Sequence, residues 1–265
     1  MLAQRIITAL FLGVGVVVVV LFAPETAVLA VLGLLWAAGA WEWAQFARLT
    51  GAQRVLYALA VAAAMAPAFL PFEERVAVIA LAVALLWWAV ALAAVLTYPR
   101  PYGPVAAAFA GLVTLLPPWF VFAYLLRLEP LGRELALTAF VIVWAADIGA
   151  YACGRSFGRR KLAPRVSPGK TWEGVSGGLL AGALVGVAAA WLLDLPVGVL
   201  IAIAVATAAI SVLGDLNVSL FKRNVGLKDS GRLLPGHGGV LDRIDSLTAA
   251  LPIFALGLEL AGLLG

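Results

Sequence analysis

Long apolar stretches with almost no interruption are what most constrain this chain. Residues 76–97 and 197–214 contain no charged side chain at all. A helix needs about 20 apolar residues to cross roughly 30 Å of hydrocarbon. Nine stretches of that kind lie between the charges and prolines, near residues 6–22, 27–46, 54–70, 76–97, 105–126, 135–157, 173–193, 197–221 and 247–264. Strict alternation of polar and apolar residues is missing, so the pattern predicts helices rather than the strands of an outer-membrane barrel. Composition agrees: 64% of residues are hydrophobic and 12% charged, against about 25% charged in soluble domains. Too little polar surface remains to cover a soluble globule. The single cysteine excludes a disulfide scaffold. The expected fold class is an all-α, polytopic integral membrane protein with about nine transmembrane helices.

Basic residues predict the orientation, because short cytoplasmic loops retain Lys and Arg. With the N-terminus inside, every Lys and Arg except Arg75, Arg127 and Arg133 falls at the cytoplasmic end. The expected location is therefore the inner (cell) membrane, with the polar loops facing the cytoplasm. A net charge of +4 concentrated at one membrane face points to anionic headgroups and phosphorylated substrates; no nucleic-acid motif is present.

Residues 1–134 read as a scaffold of five spans, and residues 135–265 as four spans carrying two polar loops, 155–172 and 222–246. In the first part Pro117 and Pro118 are expected to kink the fifth span. Glu42, between Trp41 and Trp43, reads as an interfacial carboxylate paired with Arg48 or with a neighbouring helix. In the second part Gly174, Gly178, Gly182 and Gly186 form one face that admits a close helix.

Asp147 falls about 12 residues, or roughly 18 Å, into its span. An uncompensated carboxylate there costs about 2.5–3.5 kcal/mol on insertion scales, so it faces either a polar cavity or a cation. Gly169-Lys-Thr171 superficially suggests a phosphate loop, but Pro164 stands where that motif needs its first glycine, and no strand is expected before it. Lys170 is read either as a phosphate contact or as a headgroup-facing lysine. Asp215, Ser219, Lys222 and Arg223 share one helical face by their spacing, though the two cations are equally ordinary membrane anchors. The glycines around His237 allow positive φ and close approach of backbone N–H groups to a phosphate; the bland reading of His237 is a turn residue. Asp242 and Asp245, three residues apart, either serve a reaction or cap the last helix. Carboxylates interleaved with cations at one membrane level suit Mg²⁺ and phosphate chemistry. One His and one Cys make zinc a poor fit.

The run from Ser219 to Asp245, Ser-Leu-Phe-Lys-Arg-Asn-Val-Gly-Leu-Lys-Asp-Ser-Gly-Arg-Leu-Leu-Pro-Gly-His-Gly-Gly-Val-Leu-Asp-Arg-Ile-Asp, resembles the signature of the phosphatidate cytidylyltransferases (CDP-diacylglycerol synthases). Ser167-Pro-Gly-Lys-Thr-Trp-Glu173 resembles that family too, and Trp41-Glu-Trp43 more weakly. The resemblance implies a metal-dependent reaction of CTP with phosphatidic acid, giving CDP-diacylglycerol and pyrophosphate in phospholipid biosynthesis, carried out by a homodimer. It implies Asp215 and Asp242 as metal-binding carboxylates, with Asp245 and Asp147 as further metal candidates and Mg²⁺ as the cofactor, with or without a second ion. Asp215, Asp242, Lys222 and His237 are the expected catalytic group. Lys170, Ser219, Arg223, Lys228, Gly238, Gly239 and Arg243 are the expected substrate contacts. The alternatives are a transporter and a lipid kinase; the crowding of charge at one end of the spans argues against the first.

Overall fold

The computed structural model describes residues 13–71, 73–231, 233 and 238–264. Apolar helices dominate: α1 (Gly13–Phe22), α2 (Glu25–Trp43), α3 (Gly51–Met65, continued by a 3-10 turn, Ala66–Phe69), α4 (Glu74–Leu96) and α5 (Pro104–Leu126). The second half holds α6 (Gly132–Phe157), a ribbon of β1 (Lys161–Ala163) and β2 (Ser167–Thr171), then α7 (Trp172–Leu193), α8 (Val197–Asn224) and α9 (Leu241–Leu260). Among the described residues, seven helices are long and apolar enough to cross a membrane: α2, α3 with its 3-10 turn, α4, α5, α6, α7 and α8. The chain is thus an all-α, multi-helix protein of the kind that spans a membrane several times. The opening residues of the first expected span lie outside the described residues.

The last expected span, 247–264, differs instructively. Its helix begins at Leu241, six residues early, and so carries Asp242, Arg243 and Asp245 as part of α9. A helix facing lipid tolerates such residues poorly, but α9 is packed against α2, α4, α5, α6 and α8. Its side chains from Ile244 to Pro252 are all buried. The central helix of the bundle is the one that can be polar, because protein rather than hydrocarbon surrounds it.

Tryptophans lock the helices of the first half to one another. The buried indoles of Trp36 and Trp43 on α2 donate to Leu115 O and Ala107 O of α5, at 3.0 and 2.8 Å. Trp119 on α5 donates to Met65 O at 3.2 Å. Each ring fills the interior while its N–H finds a carbonyl partner. Pro117 and Pro118 lie inside α5, and the helix continues through both. The same turn receives the Trp36 bond and a 3.4 Å bond from Asn217 of α8 to Thr114 Oγ1. Neighbouring helices thus bond to the turn around the two missing donors.

The glycine face of α7 meets two helices in turn. A Cβ on Gly174 or Gly178 would lie 2.9 Å from the Ala150 or Ala146 carbonyl of α6. One on Gly182 or Gly186 would lie 2.9 or 2.8 Å from the Ala208 or Ala204 methyl of α8. The close approach read from the spacing is met, and it fixes the ribbon at one end of α7 relative to α8.

Candidate active site

Four pieces of chain meet where α8 ends and α9 begins. The β1–β2 ribbon replaces what the sequence suggests is plain loop, and β2 runs straight into α7. At that junction Thr171 Oγ1 caps α7 by accepting from Gly174 N at 3.1 Å. Glu173 accepts from the backbone N–H groups of Arg159 and Arg160 at 3.1–3.2 Å, closing the ribbon's entry. The Gly-Lys-Thr residues therefore belong to a strand that ends in a helix cap, and the geometry is not that of a phosphate loop. Lys170, held by this junction, reaches Asp215 on α8: Nζ and Oδ2 are 2.7 Å apart.

Gly214 explains why Asp215 stands where it does. A Cβ there would overlap the Asp245 carbonyl and come within 3.0 Å of Ser246 Cα. Only glycine lets α8 and α9 touch backbone to backbone at this level. Asp215 and Asp245 are brought together as a result, within electrostatic reach of each other. Ser219, one turn on, donates to Asp215 Oδ1 at 3.1 Å. The next turn carries Lys222, whose ammonium lies 2.8 Å from Asp242 Oδ1. The other Asp242 oxygen accepts from Ser230 N at 3.0 Å and Gly239 N at 3.2 Å. Asp242 thus takes a cation on one oxygen and two backbone donors on the other. Asp245 is buried, its Oδ1 accepting from Ser246 N at 2.7 Å.

The remaining expected site residues divide. Asp147 on α6 is exposed and lies within electrostatic reach of Lys170, Asp215 and Arg243, so it joins the cluster. Arg243, also exposed, projects from the first turn of α9. Arg223 turns away to backbone: it donates to Val166 O at 3.3 Å and Leu227 O at 3.1 Å, stapling the ribbon to the end of α8. Lys228 is exposed beside a cavity of about 430 Å³, lined by Trp41, Gln45, Arg54, Leu227, Asp229 and Gly231 as well. Gly238 has φ +80°, the positive value its position suggests. Gly239 approaches a side chain rather than an open space: its N–H is taken by Asp242. His237 lies outside the described residues.

Glu42 is the residue the sequence undersold. It is wholly buried and pairs with neither Arg48 nor another cation by a hydrogen bond among the described contacts. Instead Oε2 accepts from Ser230 Oγ at 3.0 Å and Leu241 N at 2.8 Å, joining α2 to both ends of the loop before α9.

Electrostatically the cluster alternates in sign. Burial by itself opposes the charge on Lys170, but Asp215, with Asp147 and Asp245 further off, outweighs it and holds the ammonium's pKa above the ordinary lysine value. Among the described residues no group of three or more His, Cys, Asp or Glu is arranged to hold a metal. Mg²⁺ does not require one, since it commonly takes one or two carboxylates and completes its shell with substrate phosphates and water. Asp215 and Asp242 offer oxygen only, and each already balances a lysine charge. That donor set fits a hard cation brought in with an anionic substrate.

The sequence matches the model of the Cytidylyltransferase family over residues 3–261. The chain belongs to that family. A phosphatidate cytidylyltransferase of Pseudomonas aeruginosa is 46% identical over 275 residues, covering 99% of this chain and 98% of the relative. One from Haemophilus influenzae is 42% identical over 292 residues, covering 96% and 98%. One from Brucella suis is 47% identical over 136 residues, 48% of each chain. Likeness to cytidylyltransferases therefore runs the whole length, first-half scaffold included, and is not confined to the polar loops.

Proposed function

We propose that this chain is a phosphatidate cytidylyltransferase: it joins CTP to phosphatidic acid, forming CDP-diacylglycerol and releasing pyrophosphate. End-to-end similarity to the Pseudomonas enzyme carries the reading, and the paired charges at the α8–α9 junction suit the chemistry. A phosphate oxygen of phosphatidic acid attacks the α-phosphorus of CTP. The new P–O bond forms as the bond to the β-phosphate's bridging oxygen breaks, and pyrophosphate leaves. The attacking oxygen is already an anion, so no strong base is needed; positioning and charge neutralisation dominate.

In this reading Lys170, Lys222 and Arg243 neutralise the meeting phosphates, and Lys228 meets anions at the mouth of the neighbouring cavity. Ser219 orients Asp215, and Gly238 and Gly239 shape the loop carrying His237. Asp215 and Asp242 would hold Mg²⁺, with Asp245 and Asp147 as further ligands. When bound, the ion supplies countercharge for the triphosphate and its leaving group. Arg223 contributes by holding the ribbon, and so Lys170, in place. The spans number nine, the N-terminus is cytoplasmic, and the site opens to the cytoplasmic side of the inner membrane. Residues 1–134 are the scaffold, residues 135–265 carry the site, and the working unit is a homodimer. No nucleic acid takes part.

The test mixes detergent-purified protein with phosphatidic acid, CTP and Mg²⁺. Equal amounts of liponucleotide and pyrophosphate are expected. Release of cytidine diphosphate with a doubly phosphorylated lipid would make the protein a kinase instead.

A further inference from the structure

Glu42 sits on α2, in the half of the chain that otherwise looks like scaffold, yet among the described residues its carboxylate bonds to Ser230 in the loop before α9 and to the first residue of α9. Its Oε2 accepts from the Ser230 hydroxyl and from Leu241 N, the first amide of α9. Gln45, in the turn that follows α2, adds its amide: Nε2 donates to Ser230 O and, at 2.9 Å, to Glu42 O. Two glycines make room for the carboxylate. A Cβ on Gly231 would overlap Glu42 Oε1, and one on Gly239 would overlap Glu42 Oε2 and Ser230 Oγ. The loop thus closes around Glu42 from both ends, before and after its glycine-rich centre.

Two of these residues also grip Asp242. Ser230 gives its hydroxyl to Glu42 and its N–H to Asp242 Oδ2; Gly239, against which Glu42 packs, gives its N–H to that same oxygen. Leu241, bonded to Glu42, precedes Asp242 in the chain. A fully buried carboxylate accepting charge-assisted hydrogen bonds is strongly held, so it constrains what it binds. We infer that Glu42 is a positioning residue for the transfer reaction: from α2 it clamps Ser230 and Leu241 and thereby sets the orientation of Asp242.

This rests on Asp242 serving the reaction, and the experiment separates the two ideas. Full-length wild type, Glu42→Gln and Ser230→Ala are purified in detergent and compared by hydrogen–deuterium exchange across 229–243, by steady-state kinetics and by Mg²⁺ titration followed by thermal unfolding without substrate. Glu42→Gln keeps the volume and one acceptor oxygen but removes the charge that strengthens both bonds to Oε2. It should speed exchange at Ser230, Gly239 and Leu241 while α5–α8 exchange as in wild type. It should lower kcat about tenfold or more, change the KM for CTP less than about threefold, and weaken the thermal shift given by Mg²⁺. Ser230→Ala removes one donor and should show the same pattern at smaller amplitude, which keeps the test available if Glu42→Gln folds poorly. Wild-type exchange over 229–243 in both variants would overturn the clamp, as would unchanged kcat with the loop loosened. Wild type that makes no liponucleotide, alongside a loop that Glu42→Gln loosens, would leave the clamp standing and contradict the proposed reaction.

Discussion

Lys222 and Asp242 are nearly closed off, with side chains 9% and 12% exposed, whereas Lys170 and Asp215 are 23% and 31% exposed. The difference decides what each pair is worth. Removing one partner of a buried pair strands a charge and costs about 3–5 kcal/mol; removing one from a partly hydrated pair costs about 1 kcal/mol or less. Lys222→Met should therefore lower the unfolding temperature markedly and Lys170→Met only slightly, while both reduce transfer activity. Equal destabilisation would show that the Lys222 pair is more hydrated than its contacts indicate. The raised pKa of Lys170 also fixes a sign. Its pair contributes fully below the unfolded lysine value of about 10.4 and is lost only as pH rises through the still higher folded value. The stability difference between wild type and Lys170→Met should thus stay level from pH 7 to about 10 and shrink above that. Asp215 and Ser219 were legible in the sequence as an i, i+4 pair because one helix turn sets their spacing. Neither lysine's partner was, since both pairs join separate elements. For Glu42 the neighbouring-helix alternative is met at the first amide of α9, and Arg48 is not its partner; both partners lie about 190 residues away, so nothing local announces which they are.

At the scale of elements, Gly214 carries the sharpest prediction. Glycine to alanine inside a helix ordinarily gains about 1 kcal/mol, so a loss at this position reports contact rather than propensity. Gly214→Ala forces α8 away from the Asp245 carbonyl and should cost at least about tenfold in activity with a lower unfolding temperature. Gly198→Ala, on the same helix with nothing within 4 Å of the added carbon, should be neutral or stabilising. Matching behaviour of the two would remove the α8–α9 contact from the account. The helices themselves were readable because apolar runs of span length have few alternatives. The ribbon was not: β1 and β2 have 3 and 5 residues, too short for a period-two pattern to stand out among prolines, glycines and basic residues. The apolar span of α9 begins late, at 247, because a hydrophobicity argument stops at the first charges, whereas Asp242 and Asp245 are legible as residues of a helix start.

For the whole molecule, a polar α9 enclosed by apolar neighbours reconciles a strongly hydrophobic chain with charged chemistry. The outer helices are apolar, and the carboxylates gather where α6, α8 and the central α9 meet. Orientation follows as a prediction. In a Cys153→Ala background, Glu129→Cys in the α5–α6 connection should react with a membrane-impermeant maleimide on intact cells. Lys161→Cys in β1 should react only after the membrane is opened. The reverse pattern would place the ribbon and its lysine outside and contradict a cytoplasmic site. If cytidylyl transfer takes place where α8 meets α9, the fate of labelled phosphate reveals it. With CTP labelled at the α-phosphorus, the label should enter lipid in wild type and fail to do so in Asp215→Ala and Asp242→Ala, both still inserted in the membrane. Label entering lipid from the γ-position, or either variant transferring at the wild-type rate, would contradict it.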